Sequence, residues 1–370
     1  MKITHLETIP ILVPMNPRRA IRGSRGFHRV SPFLLVKVHT DAGITGLGEA
    51  SCTPNWSGED QVTAAHYIQN FLAPLLLGED PTEVERLTLK LHTVIAENFF
   101  TKSAIEMALW DILGKSVGLP VYRLLGGPVR DFVTTKFSVS GLEPEKAAEL
   151  AAWAVSFGFK TMKVKVGIHP DQDVARVRAV REAIGPNIRL GVDANGGWSP
   201  RVAIQTIRQL YDYDIYFVEQ PVPPLDVAWM ADVRSHIQVP VMADESVYTP
   251  QDAVALVRAG AADVLSTYVS KGGIGPARKV AAVAEAAGLT CTVGSNLELG
   301  VGSAAMIHLA MATSGIGAEE FPCDIIGPLF YEDDVLKEPL PIKGGEARPF
   351  ERPGLGVELD DAKVEQYRVK

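Results

Sequence analysis

Five charged residues stand within or at the ends of short apolar runs, where an unpaired charge is costly to bury. They are Lys163 and Lys165 in MKVKVG, Asp193 in LGVDAN, Glu219 in YFVEQP and Asp244 in VMADES. Spacings of 28, 26 and 25 residues separate the last four, and each spacing is close to one strand-helix unit. We therefore expect these side chains to converge from the carboxyl ends of neighbouring parallel strands.

The three carboxylates Asp193, Glu219 and Asp244 offer only hard oxygen ligands. Mg²⁺ prefers such ligands, and Mn²⁺ is the alternative cation. No cysteine and histidine spacing typical of a zinc site competes with them in the sequence. The pattern predicts a divalent-metal site, with a helix cap or a salt bridge as the competing interpretation for any one carboxylate.

Lys163 and Lys165 are two residues apart, so both point to the same side of a strand. Two ammonium groups close together near a dication lower each other's pKa, so that one of them can act as a base at neutral pH. Solvated lysines on a surface strand are the competing interpretation.

The elements that must position these residues are strands alternating with Ala-rich amphipathic helices between about 130 and 320. This alternation predicts an α/β fold, a (β/α)8 TIM-type barrel. A doubly wound sheet is the alternative, but its glycine-rich first turn is missing. The predicted strands are 135–141, 161–167, 189–195, 216–221, 240–246, 263–269, 289–295 and 318–321.

The chain has 370 residues, more than one hydrophobic core normally organises. Its first third predicts a separate α+β unit, and its last residues return to short strands that could pack back on that unit. The predicted strands there are 2–13 and 33–39, and the predicted helices are 60–77, 81–98 and 101–116. We place the domains at 1–127, 128–322 and 323–370, with a loop at 16–32.

Composition narrows the class of protein. The formal net charge of −8 disfavours nucleic-acid binding, and no run of about 18 apolar residues predicts a membrane helix. The N-terminus lacks the features of a signal peptide. Three widely spaced cysteines, Cys52, Cys291 and Cys323, suit a reducing compartment. We therefore expect a cytoplasmic protein.

Together these motifs resemble the enolase superfamily, specifically its muconate-lactonizing-enzyme subgroup within the mandelate racemase/muconate lactonizing enzyme family. The resemblance covers nearly the whole chain. Its residues are Lys163-Val-Lys165, Asp193-Ala-Asn195, Glu219-Gln-Pro, Asp244-Glu245-Ser246, Gly272-Gly273-Ile274, Gly294-Ser-Asn-Leu-Glu298, and the segments 102–127 and 353–360.

The resemblance implies a modified (β/α)7β barrel under an α+β capping domain that the C-terminal segment completes. It implies Mg²⁺ held by Asp193, Glu219 and Asp244, with Lys165 as the acid/base and Lys163 as its electrostatic neighbour. The shared chemistry is proton transfer α to a carboxylate through an enediolate. A homo-oligomer, from dimer to octamer, and a small carboxylate substrate are further expectations.

One position departs from the family pattern. The subgroup carries a second catalytic lysine on the sixth barrel strand, where this chain has Tyr268, or Thr267 if one gap is allowed. Lys271 follows three residues after Tyr268 and is the other candidate for that role. If Lys271 does not reach the substrate, a one-base reaction is more natural than a two-base racemisation.

Substrate contacts are expected from two sides of the site. The resemblance makes residues 16–32 a lid, and arginines recognise carboxylates bidentately, so a second acidic group on the substrate is plausible. The expected contacts are Arg22, Arg25, Trp56, Asn195, Glu245, Thr267 and Glu298. A solvated loop or an oligomer contact is the equal alternative for the arginines.

These expectations rank the functions. A muconate-type cycloisomerase comes first, and an acid or hydroxy-amino-acid dehydratase comes second. An amino-acid racemase or epimerase comes third. A non-catalytic binding protein on the same barrel is the hypothesis from a different class, and the intact lysines and carboxylates argue against it.

Overall fold

The computed structural model describes residues 1–369 and begins with an antiparallel sheet. The first strands are β1 Ile3–Pro14, β2 Arg22–Gly23, β3 Gly26–Phe27, β4 Val30–Thr40 and β5 Thr45–Ser51. The sheet has the order β1-β4-β5, and a two-stranded hairpin, β2-β3, lies in the connection between β1 and β4. The predicted strands 2–13 and 33–39 are confirmed, and β5 was missed.

Strand β5 escaped prediction because its sequence, TGLGEAS, is rich in glycine. The structure explains the glycines by close packing against a helix. A Cβ at Gly48 would lie 1.7 Å from the carbonyl oxygen of Ala104. The strand therefore depends on a tertiary contact that local propensity does not report.

Helices cover this sheet. Their bounds are α1 Pro54–Ser57, α2 Gln61–Tyr67, α3 Ala73–Leu76, α4 Val84–Val94, α5 Phe99–Val117 and α6 Val121–Leu124, with a π-helical turn Ile68–Leu72 between α2 and α3. The three predicted helical stretches are present. The second ends early, at Val94, because Ile95 is already extended, with φ −126° and ψ 126°. Glu97 and Asn98, with positive φ angles of 49° and 48°, then separate it from the next helix.

Seven parallel strands, each followed by a helix, form the second unit. A short strand, β6 Val133–Thr134, precedes them. The seven strands are β7 Phe137–Val139, β8 Thr161–Lys165, β9 Arg189–Asp193, β10 Ile215–Glu219, β11 Val241–Ala243, β12 Val264–Thr267 and β13 Thr290–Val293. The helices are α7 Pro144–Phe157, α8 Pro170–Ile184, α9 Pro200–Leu210, α10 Val227–His236, α11 Pro250–Ala259, α12 Ile274–Ala286 and α13 Gly300–Ala312.

The eighth predicted strand, 318–321, is wrong. These residues form a turn, in which Glu319 and Glu320 are exposed. The barrel closes instead through two isolated parallel bridges, Cys291 with Ile316 and Cys323 with Thr135. The closing segment therefore pairs with the barrel just before and just after the predicted strand, at Ile316 and Cys323.

The C-terminal residues return to the first unit. Bridges join Ile11 to Arg368, Met15 to Tyr331 and Pro120 to Gly354. The remaining elements are β14 Ile342–Lys343, β15 Glu346–Ala347 and α14 Asp361–Tyr367, and β15 pairs with β6. These contacts agree with a tail that packs on the cap, while the domain boundaries at 127 and 322 stay a prediction. No helix within residues 1–369 is long and apolar enough to cross a membrane.

His308 joins the two units at the buried end of α6. Its Nδ1 accepts a hydrogen bond from the Tyr122 amide at 3.4 Å, and its Nε2 lies 3.1 Å from the Leu355 carbonyl oxygen. Burial lowers the pKa of His308 from 6.5 to about 4, although the Leu355 carbonyl opposes the shift. The folded protein therefore holds a neutral imidazole at neutral pH.

Because of His308 we expect the free energy of unfolding to fall in acid. The unfolded chain takes up the proton near pH 6.5 and the folded protein only near pH 4, so stability present above pH 6.5 is lost as the pH falls. The loss is about 3 kcal/mol across that window. Urea titrations between pH 4 and 7 should show His308→Gln with a flatter profile than wild type. The exposed His66→Gln should follow wild type, and equal slopes for all three proteins would contradict the assignment.

Candidate active site

The predicted lysines and carboxylates meet at the carboxyl ends of the strands. Lys165 is the register partner of Asp193, and Asp193 is the register partner of Glu219. Together with Lys163 and Asp244 these residues line one cavity. The convergence expected from the one-unit spacing is therefore present in the structure.

Lys163 is the buried centre of this charge cluster. Its Nζ donates to Asp324 Oδ2 at 2.7 Å and to both oxygens of Glu219 at 3.1 Å, and it lies 3.4 Å from Asp193 Oδ2. Burial alone would lower the pKa of Lys163, but Asp324, Glu219 and Asp193 outweigh burial and raise that pKa well above its usual value. Lys163 is therefore held as a cation in this structure. That one of the two lysines acts as a base beside a bound dication stays a prediction.

Lys165 is the more open of the two lysines. Its side chain is 14% exposed, against 4% for Lys163. Its Nζ donates to Asp193 Oδ2 at 2.6 Å and to Asn195 Oδ1 at 2.9 Å. A lysine that faces the cavity while two acceptors fix its amine is suited to proton transfer.

The donor set fits a hard divalent cation. Within residues 1–369 no three carboxylates stand in ready metal-binding geometry; Asp193, Glu219 and Asp244 each accept a hydrogen bond from a lysine instead. Burial raises the pKa of Glu219 to about 8 despite Lys163, and the neighbouring carboxylates add to the rise. A buried group of oxygen donors that repel one another suits Mg²⁺ or Mn²⁺.

The sixth strand presents no base to the cavity. Lys271 is buried, and its Nζ donates to Asp244 Oδ1 at 2.7 Å, to the Asp244 carbonyl at 2.6 Å and to the Ser266 carbonyl at 3.1 Å. The same Nζ lies 4.4 Å from the ring centre of Tyr268. Lys271, Tyr268 and Thr267 are absent from the cavity lining, so the two candidate catalytic residues and the expected substrate contact Thr267 lie behind it.

Tyr268 packs against other aromatic side chains and is not placed to act as an acid or a base. Its ring contacts Trp56 and Phe100, with ring centres 5.9 Å and 6.3 Å away. Its hydroxyl is buried and has no hydrogen-bond partner among the described residues. Burial, followed by the charge of Asp244, raises the pKa of Tyr268 well above its usual value, which makes the hydroxyl a poor acid.

Tyr268→Phe is therefore expected to change turnover less than about 3-fold, because the lost hydroxyl has no partner to leave unpaired. Steady-state kinetics and a thermal melt of both proteins provide the check. A fall of about 10²-fold or more would instead make Tyr268 an acid/base group.

The lid is only partly arranged as expected. Arg25 and Trp56 line the cavity, whereas Arg22 points outward, half exposed, 3.9 Å from Glu143. Arg19 of the lid contacts α7 instead, where its guanidinium stacks over the Trp153 ring at 5.1 Å. The lid thus does not bring a cluster of arginines to the substrate.

Three of the expected contacts bind other parts of the protein. Asn195 lines the cavity and donates from Nδ2 to Glu245 Oε1 at 3.0 Å. Glu298 is buried and accepts hydrogen bonds from Ser270 Oγ at 2.7 Å and Ser295 Oγ at 2.6 Å. Glu245 and Glu298 are not part of the cavity lining, so the structure does not support direct substrate contact by either.

Two titratable residues of the cavity lining, Asp324 and His28, were missed by the sequence interpretation. Asp324 follows the closing bridge at Cys323 and lies between Lys163 and the buried Lys136, at 2.7 Å and 3.0 Å. It ends the apolar run FPCD, the same signal that marked the other carboxylates, but the strand had been placed too early. His28 of the lid also lines the cavity, where burial and then the charge of Lys165 lower its pKa.

Models of two families match the chain, "Mandelate racemase / muconate lactonizing enzyme, N-terminal domain" over residues 7–126 and "Enolase C-terminal domain-like" over residues 145–363. Muconate cycloisomerase 1 of Rhodococcus opacus is 34% identical over 97% of this chain and 96% of its own length.

Solved structures show the same likeness. The N-succinyl Arg/Lys racemase of Bacillus cereus has a TM-score of 0.95 and 33% identity, covering 100% of this chain and 99% of its own. The dipeptide epimerase of Enterococcus faecalis, complexed with Mg and L-Leu-L-Tyr, has a TM-score of 0.91 and 31% identity, covering 97% and 100%. The chain is an enzyme whose relatives are isomerases, and it belongs to the muconate-lactonizing-enzyme subgroup of the enolase superfamily.

Proposed function

We propose that this protein is a Mg²⁺-dependent, one-base enzyme that moves a proton α to a substrate carboxylate, in a muconate-type cycloisomerisation. The observation that carries the proposal is the asymmetry of the cavity. Lys165 faces it from β8, while the sixth strand contributes no base, because Lys271 is bound to Asp244 behind the cavity. A cycloisomerisation needs proton transfer on one face only.

Each residue has a defined task in this proposal. Asp193, Glu219 and Asp244 would hold the metal, which when bound offsets the charge that develops on the substrate carboxylate. Lys165 holds or receives the proton at Nζ. Lys163 supplies a fixed positive charge beside the carboxylates, and Trp56 forms an apolar wall.

The proposal is tested with cis,cis-muconate and Mg²⁺ in deuterated water. We expect lactone formation with deuterium on a single face of the carbon α to the carboxylate. Exchange on both faces, with interconversion of the enantiomers of an N-succinyl amino acid or of the epimers of a dipeptide, would require a second base and overturn the one-base assignment. No exchange with any acid, while calorimetry shows bound metal, would favour a binding protein.

Dehydration of a β-hydroxy acid is the second candidate, favoured by the polarity of the cavity. Arg25 is engaged by the protein and Arg22 points away, whereas the hydroxyl-bearing Ser31, Ser138 and Ser295 line the cavity. This wall suits a substrate with one carboxylate and a hydroxyl group. Formation of an α,β-unsaturated acid from β-hydroxy acids, or of a 2-keto acid from substrates that also carry an α-hydroxyl or α-amino group, would select this reaction if muconate is not lactonized. Dehydration uses the same single base.

A further inference from the structure

Asn195 touches both the proposed base and the lid, residues 16–32. Its side-chain Oδ1 accepts the hydrogen bond from Lys165 Nζ at 2.9 Å. Its main-chain oxygen accepts hydrogen bonds from Ser24 Oγ at 3.2 Å and from Arg25 Nε at 3.3 Å, both on the lid. One residue is therefore the shared support of the lid tip and of the lysine.

The orientation of the Asn195 amide is dictated by its two neighbours. Nδ2 donates to Glu245 Oε1 at 3.0 Å, and a carboxylate only accepts hydrogen bonds. A flipped amide would place Oδ1 against Glu245 and Nδ2 against the Lys165 ammonium, which are two repulsive contacts. Glu245 thus forces Oδ1 toward Lys165 and fixes where the lysine amine lies.

Glu245 in turn faces the lid. Arg25 Nη2 lies 3.5 Å from Glu245 Oε1, the oxygen that also accepts from Asn195. The other oxygen, Oε2, is buried and has no hydrogen-bond partner within residues 1–369. Asn55 of α1 binds the lid at Arg25. Its carbonyl accepts a hydrogen bond from Arg25 Nη1 at 3.2 Å, and its Nδ2 donates to the Arg25 carbonyl at 2.6 Å.

We infer that Arg25, Glu245 and Asn195 form a positioning relay that couples closure of the lid to the alignment of Lys165. Arg25 and Asn195 line the cavity, but in this scheme the three residues act through the lysine and not on the substrate. When the lid closes, Arg25 compensates the charge of Glu245, and Glu245 orients Asn195, which holds the lysine amine. The free Oε2 leaves room for Arg25 to tighten into a bidentate pair, the strongest geometry for arginine and carboxylate.

The relay makes proton transfer conditional on a closed lid. An open lid removes Arg25 from Glu245 and both lid contacts from the Asn195 carbonyl, so the lysine loses its fixed position at the moment that water can enter. This consequence rests on the proposed role of Lys165, whereas the coupling between Glu245 and the lid does not.

Limited proteolysis tests the coupling without substrate. The lid carries exposed trypsin sites at Arg18, Arg22 and Arg29. Cleavage of a native segment follows how often it opens, so Glu245→Gln is expected to speed nicking within 16–32 by about 10-fold. The control Glu143→Gln removes the exposed partner of the lid residue Arg22, which lies 3.9 Å away. Because an exposed ion pair contributes little, this variant should match wild type. Unchanged nicking in Glu245→Gln, with a native circular dichroism spectrum, would overturn the relay.

Kinetics separate positioning from substrate contact. Glu245→Gln is expected to lower kcat by about 10²-fold with KM within about 3-fold, because the aligned lysine matters only during proton transfer. Arg25→Lys, which keeps the charge, should recover part of the rate that Arg25→Met loses. A rise in KM at unchanged kcat would make these residues substrate contacts. If wild type transfers no proton but Glu245→Gln still frees the lid, the proposed function fails and the structural coupling stands.

Discussion

Replacing Lys165 by methionine is expected to lower α-proton transfer by about 10²–10⁴-fold while the protein stays folded. Lys165 is the one lysine of the Lys-x-Lys pair with an appreciably exposed side chain, and its amine lies between Asp193 and Asn195 at the cavity. Methionine keeps the length of the side chain and removes only the group that carries the proton. The measurement is single-turnover exchange of the substrate α-proton in deuterated water.

Lys160→Met is the matched control, because Lys160 is exposed just before the opposite end of the same strand. It should retain wild-type exchange. Normal exchange in Lys165→Met would remove this residue from the mechanism. Loss in Lys163→Met with no loss in Lys165→Met would transfer the role to its buried neighbour.

Removing Mg²⁺ is expected to have a second large effect, a loss of about 10³-fold in turnover, because a divalent cation stabilises developing charge by several kcal/mol. Glu219→Gln should reproduce much of this loss by removing the central carboxylate of the three. Glu219 is buried beside Lys163, and the charges of Asp193, Asp244 and Asp324 act on it. The measurements are turnover after chelation and titration calorimetry with Mg²⁺.

Metal binding has a readout that does not depend on substrate. Mg²⁺ at about 100 times its Kd should raise the free energy of unfolding by about 2.7 kcal/mol, and Glu219→Gln should lose this gain. The exposed Glu182→Gln, which only breaks a surface pair with Arg178, should keep it. Stabilisation by Mg²⁺ that survives in Glu219→Gln would place the cation elsewhere.

Much of the fold follows from local patterns. A strand of three to five residues followed by a helix is repeated seven times, and the matching alternation in the sequence predicts parallel strands with helical crossovers. The closing segment breaks the pattern because it forms only single bridges at Ile316 and Cys323. Strand β5 was missed for a related reason, since its glycines are explained by the helix packed on it.

The sequence by itself determined that the charged residues at the strand ends converge, because parallel strands in one barrel must bring their carboxyl ends together. Lys163, Lys165, Asp193, Glu219 and Asp244 line one cavity as their spacing predicted. Only the tertiary structure decided which charged groups pair with one another. Lys271 binds Asp244 behind the cavity, and Arg25 faces Glu245 from 220 positions away in the chain. Such pairing depends on distance and charge compensation in three dimensions, which periodicity and spacing do not encode.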